Sequence, residues 1–351
     1  MSYHLNPSSA HRWVNCTGSV AMAYRYPRPE TEDRTYAEEG IRAHVVAENI
    51  LLNRPYDDSD SDMVEGGLLY ADTIKSMVSD IKKCIIEGYV TAPTIHKELG
   101  GTPDCYNFDK ENNTIHIFDY KYGFKYVDVF ENWQLLSYAA AVLANTNHAD
   151  DVMINMVVVH PRSYCKEGPV RIWSMYKHNL LPYFARLKEA ADATQTPNAP
   201  CVSGSHCYKC PAAHACVTLQ QSAYSVCDLT SDGEYVLDDQ TIGAEYIMLL
   251  EAQDRLKSRI SGIETDLEYR LKTGRSVPGF TLESTVGREG WNIPDNQVID
   301  TADMLGIDVS KIGVITPAQA RKKGLNAEVV ASMSERKPGA IKLVKTRKLF
   351  G

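Results

Sequence analysis

Asp104, Asp119 and Lys121 fall within GTPDCYNFDKENNTIHIFDYKYG, residues 101–123, and together they are a set able to hydrolyse a phosphodiester. That reaction needs a divalent cation to neutralise the phosphate and to lower the pKa of the attacking water. Mg²⁺ and Mn²⁺ prefer oxygen ligands, and Mg²⁺ keeps several waters, so a few carboxylates suffice. Asp104 and Asp119 supply them if their strands are neighbours. Side chains alternate along a strand, so Asp119 and Lys121 share one face and Tyr120 takes the other. A lysine in that place orients the water or stabilises developing charge. Taken without its surroundings, Asp-x-Lys is an ordinary surface ion pair. The glycine turn before Asp104 and the apolar approach to Asp119 argue for the metal site.

A second constellation is CVSGSHCYKCPAAHAC, residues 201–216, with Cys201, Cys207, Cys210 and Cys216. Closely spaced cysteines on a loop chelate one ion with little extra ordering, and four thiolates suit tetrahedral Zn²⁺. Cys84, Cys105, Cys165 and Cys227 stand apart and read as small buried hydrophobes. The opening MSYHLNPSSAHRW has neither a basic n-region nor an apolar h-region. No apolar run reaches the roughly 20 residues of a bilayer span. The expectation is a cytoplasmic protein, away from membranes, with reduced thiols.

These residues need elements to hold them. Residues 8–27 read as a helical segment capped by Ser8 or Ser9, residues 35–52 as a helix with apolar positions at Ile41, Val45, Ala47 and Ile50 to Leu52, and residues 65–89 as another. Strands are expected at 94–99, 114–122 and 126–130, rich in β-branched and aromatic residues, with NFDKENN as a turn. A helix over 131–146 leads to DVMINMVVVH, whose apolar run suits a buried central strand, and VRIWSMY adds an edge. Further helices are expected at 179–195 and 240–273, the second closed by a glycine. A small β element over 277–293, short helices and a basic tail complete the chain. The order predicts an α/β core over residues 1–220 and a mainly helical region over 221–351.

In this order the residues resemble the PD-(D/E)XK nuclease superfamily, whose pattern is an acid, a turn, then (D/E)-x-K on the neighbouring strand. Within it they resemble the RecB-like branch. GIRAH matches that branch's Gly-x3-His at Gly40 and His44, and QLLSY matches its Gln-x3-Tyr at Gln134 and Tyr138, four apart on a helix. The resemblance implies a restriction-endonuclease-like core with a central mixed sheet flanked by helices. It implies Mg²⁺ or Mn²⁺ on His44, Asp104 and Asp119, Lys121 as the residue that positions water, and Gln134 and Tyr138 as anchors of the DNA strand. Lys125 reads either as a solvated loop lysine or as a phosphate contact. Glu98 reads either as a further metal ligand or as an exposed edge residue.

RecB-type nucleases with an iron-sulfur cluster place one cysteine before the core and three after it at Cys-x2-Cys-x5-Cys spacing. That pattern implies a [4Fe-4S] cluster on Cys16, Cys207, Cys210 and Cys216, with Cys201 a spare thiol. The SSAHRWVNC opening, GTPD, DYKYG and the cysteine loop are similar to a phage and prophage family of RecB-like exonucleases, most clearly up to about residue 217. That likeness implies DNA as substrate, exonuclease work in recombination or replication in a host-cell cytoplasm, and a single-strand annealing protein as a partner.

The 351 residues, 44% hydrophobic and 23% charged, are those of an ordinary globular chain. A net charge of −8 argues against a protein that coats nucleic acid, although acidic enzymes can carry basic clefts. The end, SERKPGAIKLVKTRKLFG, gathers Arg336, Lys337, Lys342, Lys345, Arg347 and Lys348 and reads as a solvated tail or a phosphate contact. A different class of function is a noncatalytic DNA-binding or scaffold protein with a structural zinc site. The complete Asp, Asp and Lys set counts against it. No Gly-rich phosphate loop supports a small-molecule nucleotide enzyme.

Overall fold

The two apolar runs TIHIFDY and MINMVVV lie side by side, in parallel, at the centre of a five-stranded sheet. The structure is a computed structural model and describes residues 3–27, 35–57, 59–163, 167–227, 239–311 and 313–345. Helices α1 (Ala10–Trp13), α2 (Ser19–Arg25), α3 (Thr35–Leu51) and α4 (Ser61–Met77) come first. Strands β1 (Ile85–Ile86), β2 (Val90–Thr91), β3 (Gly100–Gly101), β4 (Cys105–Asp109) and β5 (Thr114–Tyr120) follow. Then come α5 (Trp133–Ala144), β6 (Met153–Val159), β7 (Val170–Tyr176), α6 (Lys177–Thr194) and α7 (Val217–Cys227). The long α8 (Asp239–Lys272) precedes β8 (Phe280–Trp291), α9 (Asp295–Met304), β9 (Ser310–Lys311), β10 (Gly313–Val314), α10 (Pro317–Lys322), α11 (Ala327–Met333) and β11 (Ser334–Lys345).

Two compact units divide the chain, Met1–Ile263 and Glu264–Gly351. In the first, the sheet runs β1-β4-β5-β6-β7 and is antiparallel except for the β5/β6 pair. Parallel neighbours need a crossover, and α5 is that crossover. Alternation along β5 and β6 divides their side chains between two cores. Ile115, Ile117, Met156 and Val158 pack with Leu135, Leu136 and Ala139 of α5, Leu180 and Leu187 of α6, and Trp13 of α1. Phe118, Tyr120, Val157 and Val159 pack with Ala43, Val46 and Ala47 of α3 and with Tyr70, Ala71 and Ile74 of α4. The fold is therefore mixed α/β, with helices on both faces of a mixed sheet. Each large side chain so buried contributes about 1.5–3 kcal/mol.

Several expectations are corrected, among them NFDKENN, whose first three residues, Asn107, Phe108 and Asp109, belong to β4. The helix expected over 65–89 stops at Met77, because Val78 turns extended, Asp80 caps a short 3-10 turn, and Ile85 and Ile86 pair with Tyr106 and Cys105. The segment 94–99 is a turn, in which the amides of Ile95 and His96 bond back to Ala92 O. YVDVF, 126–130, forms no strand. Both edges of β5 are already taken by β4 and β6, and Asp128 bends the chain by accepting the Phe130 N–H at 3.0 Å. On α3, the buried stripe is Ala43, Val46, Ala47, Ile50 and Leu51, while Ile41 and Val45 are exposed.

In the second unit, β8 pairs antiparallel with β11, from Trp291 opposite Ser334 to Phe280 opposite Lys345. Arg336, Lys337, Lys342 and Lys345 thus sit on a strand and not on a tail; Arg347 and Lys348 lie outside the described residues. Val298, Ala302, Val309, Leu325 and Val330 form this unit's core. The long helix falls where its charge-interleaved stripe predicts, and Gly274, at φ +82°, caps it.

Candidate active site

Register positions the two acids. Cys105 of β4 pairs with Phe118 of β5, so one step outward Asp104 stands opposite Asp119. Asp104 Oδ2 accepts the Tyr120 N–H at 2.6 Å, and its Oδ1 lies 3.5 Å from His44 Nδ1. His44 comes from α3, and its ring meets the Tyr120 ring edge-on at 5.3 Å. Burial opposes protonation of His44, but Asp104 outweighs it and holds the imidazole above its ordinary pKa. Gly40, one turn earlier, faces open space, and no neighbouring atom demands a glycine there.

Asp119 is almost fully buried at the end of β5. Its Oδ1 receives Lys121 Nζ at 2.9 Å and Gln134 Nε2 at 3.0 Å, while Gln134 Oε1 accepts from Lys121 Nζ at 3.2 Å. The three side chains close a triangle. Asn132 caps α5 by accepting the amides of Gln134 and Leu135, which fixes Gln134 at the helix start. Burial pushes the Asp119 carboxyl up to about 6, opposed by Lys121 and helped by Asp104. Burial also disfavours the Lys121 ammonium, yet Asp119 and Asp104 outweigh it and hold Lys121 above its usual value. Lys121 is therefore a charged hydrogen-bond donor and not a base.

Two features of this site fit a cation. Asp119 Oδ2 is buried and has no hydrogen-bond partner, a costly state for a carboxylate oxygen unless something else meets it. His44, Glu87 and Asp104 also bring one ligand atom each to within 4.8 Å of one another. Glu87 is the residue that sequence reasoning missed. It follows β1 in a left-handed conformation, φ 49°, at a cost of roughly 1 kcal/mol, and its N–H bonds to Asp104 O at 3.2 Å. Burial and Asp104 raise its pKa. Glu98, the acid considered from sequence, sits in the turn before β3, with its N–H on His96 Nδ1 and its carbonyl accepting from Leu5.

The remaining predicted residues divide. Gln134 is inside the triangle. Tyr138 is buried, and its hydroxyl donates to Thr102 O at 2.9 Å, just before Asp104. Lys125 is exposed, with Nζ 4.1 Å from the Tyr208 ring centroid.

The cysteines meet elsewhere in the same unit. Cys16, Cys201, Cys207, Cys210 and Cys216 line one small pocket together with Arg12. Cys16 Sγ accepts the Val202 N–H at 3.3 Å, and the Cys201 thiol is hydrogen-bonded to both Cys16 and Cys216. Both expected ligand sets, with Cys16 or with Cys201, are therefore gathered in one place. Burial raises the Cys201 thiol to about 12 and Cys207 to about 11, so a positive partner is needed to ionise them. The Arg12 Nε, buried without a hydrogen-bond partner, suits an anionic metal-thiolate group. Of the isolated cysteines, Cys105 is buried and Cys84 half-buried; Cys165 lies outside the described residues, as does the side chain of Cys227.

No helix among the described residues is long and apolar enough to cross a membrane. A family model described as a protein of unknown function, DUF2800, matches residues 3–347, and the chain belongs to that family.

Proposed function

We propose that the chain is an Mg²⁺- or Mn²⁺-dependent deoxyribonuclease with a PD-(D/E)XK core of RecB-like type, acting as an exonuclease. One observation carries this reading. Asp104 and Asp119 stand opposite each other at the end of adjacent strands, Lys121 is bonded to Asp119, and an unpartnered carboxylate oxygen is left buried between charged neighbours.

His44, Glu87, Asp104 and Asp119 would hold the cation. When bound, it would neutralise the scissile phosphate and lower the pKa of a coordinated water. Lys121, kept charged, donates a hydrogen bond to the attacking water and balances charge building on the phosphate. Gln134 fixes where that ammonium points by bonding both it and Asp119. Tyr138 holds the backbone at Thr102 and so the approach to Asp104. Gln134 and Tyr138 would then act as positioning residues in place of the DNA anchors that the resemblance implies.

The cysteine pocket supports a metal staple. A [4Fe-4S] cluster on Cys16, Cys207, Cys210 and Cys216 would tie the amino-terminal helices to the segment after α6, converting binding energy into folding energy. Zn²⁺ on Cys201, Cys207, Cys210 and Cys216 is the alternative.

The test is incubation of the full chain with end-labelled linear DNA and Mg²⁺ or Mn²⁺, beside Asp119→Ala. Shortening from the ends that needs metal and vanishes in the variant is the expected result. Equal inactivity of both proteins would replace the nuclease with a noncatalytic DNA-binding or scaffold protein.

A further inference from the structure

The segment that follows Lys121 carries its aromatic rings outward. Phe124 is 66% exposed, Phe130 57% and Tyr126 45%. Rings on a loosely held loop would mean little, but this loop is fastened from the turn after β6 and from β7. His160 Nε2 meets Gly123 O, Arg171 donates to Val127 O at 2.8 Å, and Arg162 donates to the Tyr122 hydroxyl at 2.8 Å. Arg162 is itself held by Glu39 of α3 at 2.9 Å.

Cations alternate with these rings. The Arg162 guanidinium lies 3.7 Å from the Tyr122 centroid and 4.7 Å from that of Phe124, and Arg171 lies 4.8 Å from Tyr126. Lys125 reaches across to the cysteine segment, over the exposed Tyr208, with Lys209 beside the same ring. The rim begins at the site. Phe124 is three residues past Lys121, at most about 10 Å of chain.

We propose that Phe124, Tyr126, Phe130 and Tyr208, with Lys125 and Lys209, form a stacking platform for an unpaired DNA strand entering the Lys121 site. The proposal rests on the nuclease reading and adds its substrate class, a single-stranded end. Aromatic faces gain from bases only when the bases are unstacked, and losing one such contact weakens binding by about tenfold or more. A duplex shows its phosphates and hides those faces, so exposed rings would be wasted on it. The lysines beside the rings suit the phosphates that link successive bases, a contact that is sequence-blind and salt-sensitive. Rigid fastening lowers the ordering cost on binding.

The experiment is fluorescence anisotropy on the full chain, with Ca²⁺ in place of Mg²⁺, using a labelled oligo(dT) of about 20 nucleotides and a blunt duplex of equal length. The variants are Phe124→Ala, Lys125→Ala and the control Tyr176→Ala, an exposed ring at the opposite end of the sheet, where Tyr176 pairs with Met153. Phe124→Ala should weaken oligo(dT) binding about tenfold and leave the duplex nearly unchanged. Lys125→Ala should flatten the slope of log affinity against log salt by about 0.7. Phe124→Trp, which keeps a stacking face, should retain affinity and show indole quenching on oligo(dT) alone. Equal losses on both DNAs, or none on either, would overturn the platform, as would quenching by the duplex. Mg²⁺ digestion by the same preparations separates the two readings. Cleavage with Phe124-independent binding sinks only the platform, whereas Phe124-dependent binding without cleavage upholds it and sinks the nuclease.

Discussion

Asp104 Oδ2 accepts the Tyr120 N–H at 2.6 Å, so the acid ahead of β4 is clamped to the residue between Asp119 and Lys121. The carboxylate has two contacts, one structural through Oδ2 and one to His44 through Oδ1, the oxygen that would face the proposed cation. Substitution can separate them. Asp104→Asn keeps an acceptor for the amide and should melt within a few degrees of the parent, whereas Asp104→Ala strands that N–H and should cost about 1–3 kcal/mol. Both should lose metal-dependent DNA cleavage. Thermal melts and digestion of labelled DNA read the two effects independently, and cleavage surviving in Asp104→Asn would remove this carboxylate from the metal.

Gln134 joins Asp119 to Lys121 through both ends of its amide. Gln134→Ala releases the lysine and should lower the cleavage rate by about 10–100-fold, the usual effect of losing a partner that orients a metal ligand. Gln134→Glu sets a like charge against Asp119 and raises its pKa further. The acidic limb of the pH–rate profile should then move to higher pH. A lower rate with an unshifted profile would mean that Gln134 acts only by filling space.

The region's legibility divides along the same physical lines. Asp119 and Lys121 were readable as neighbours because strand alternation is a local rule, and MINMVVV was readable as a central strand because its residues are apolar on both faces. Glu87 was not, since it lies past a two-residue strand whose only reason to exist is pairing with Tyr106 and Cys105. Ile85 and Ile86 alone continue a helical pattern. YVDVF misled for the opposite reason: its composition suits a strand, but no free edge of β5 remains to receive it. The basic end reads as a tail, solvated or on phosphate, because its partner, β8, lies more than forty residues earlier, and pairing at that range leaves no local trace. Order in the sequence picked out the candidate residues; edge availability decided their surroundings.

If Asp119 holds the proposed cation, its raised pKa gives metal binding a definite pH dependence. In the metal-free protein the folded value, about 6, exceeds the ordinary 3.8, so the folded state holds this proton more tightly than the unfolded chain. That contribution to stability is fully present below about pH 4 and is lost as pH rises through about 6. A cation needs the opposite state. His44, also held above its ordinary value, must likewise lose its proton to ligate, so both groups act in the same direction. The rise in melting temperature given by Mn²⁺ should be small at about pH 5 and grow to a plateau above neutrality. Apparent affinity should fall at least about tenfold per unit below pH 6. Asp119→Asn should flatten the series, and a Mn²⁺ shift independent of pH would place the ion elsewhere.

The two proposed ligand sets differ only in Cys16 against Cys201, because Cys207, Cys210 and Cys216 belong to both and all five thiols line the same pocket. A cluster on Cys16 joins segments nearly two hundred positions apart, while zinc on Cys201 closes only the local loop, so the two sets differ in what each cysteine does for stability. Under the iron-sulfur assignment, anaerobically purified protein is brown, Cys16→Ser loses both colour and cooperative melting, and Cys201→Ser keeps both. Under the zinc assignment the protein is colourless, metal analysis returns one zinc per chain, and the sensitivity is reversed, with Cys201→Ser the damaging change. Because Arg12 faces this pocket with its Nε unpartnered, Arg12→Gln should destabilise whichever anionic centre is present and leave the chelator-stripped protein little changed. Visible absorbance, metal content and melting of the three variants read these outcomes. Melting unaffected by any cysteine substitution would deny the pocket a metal.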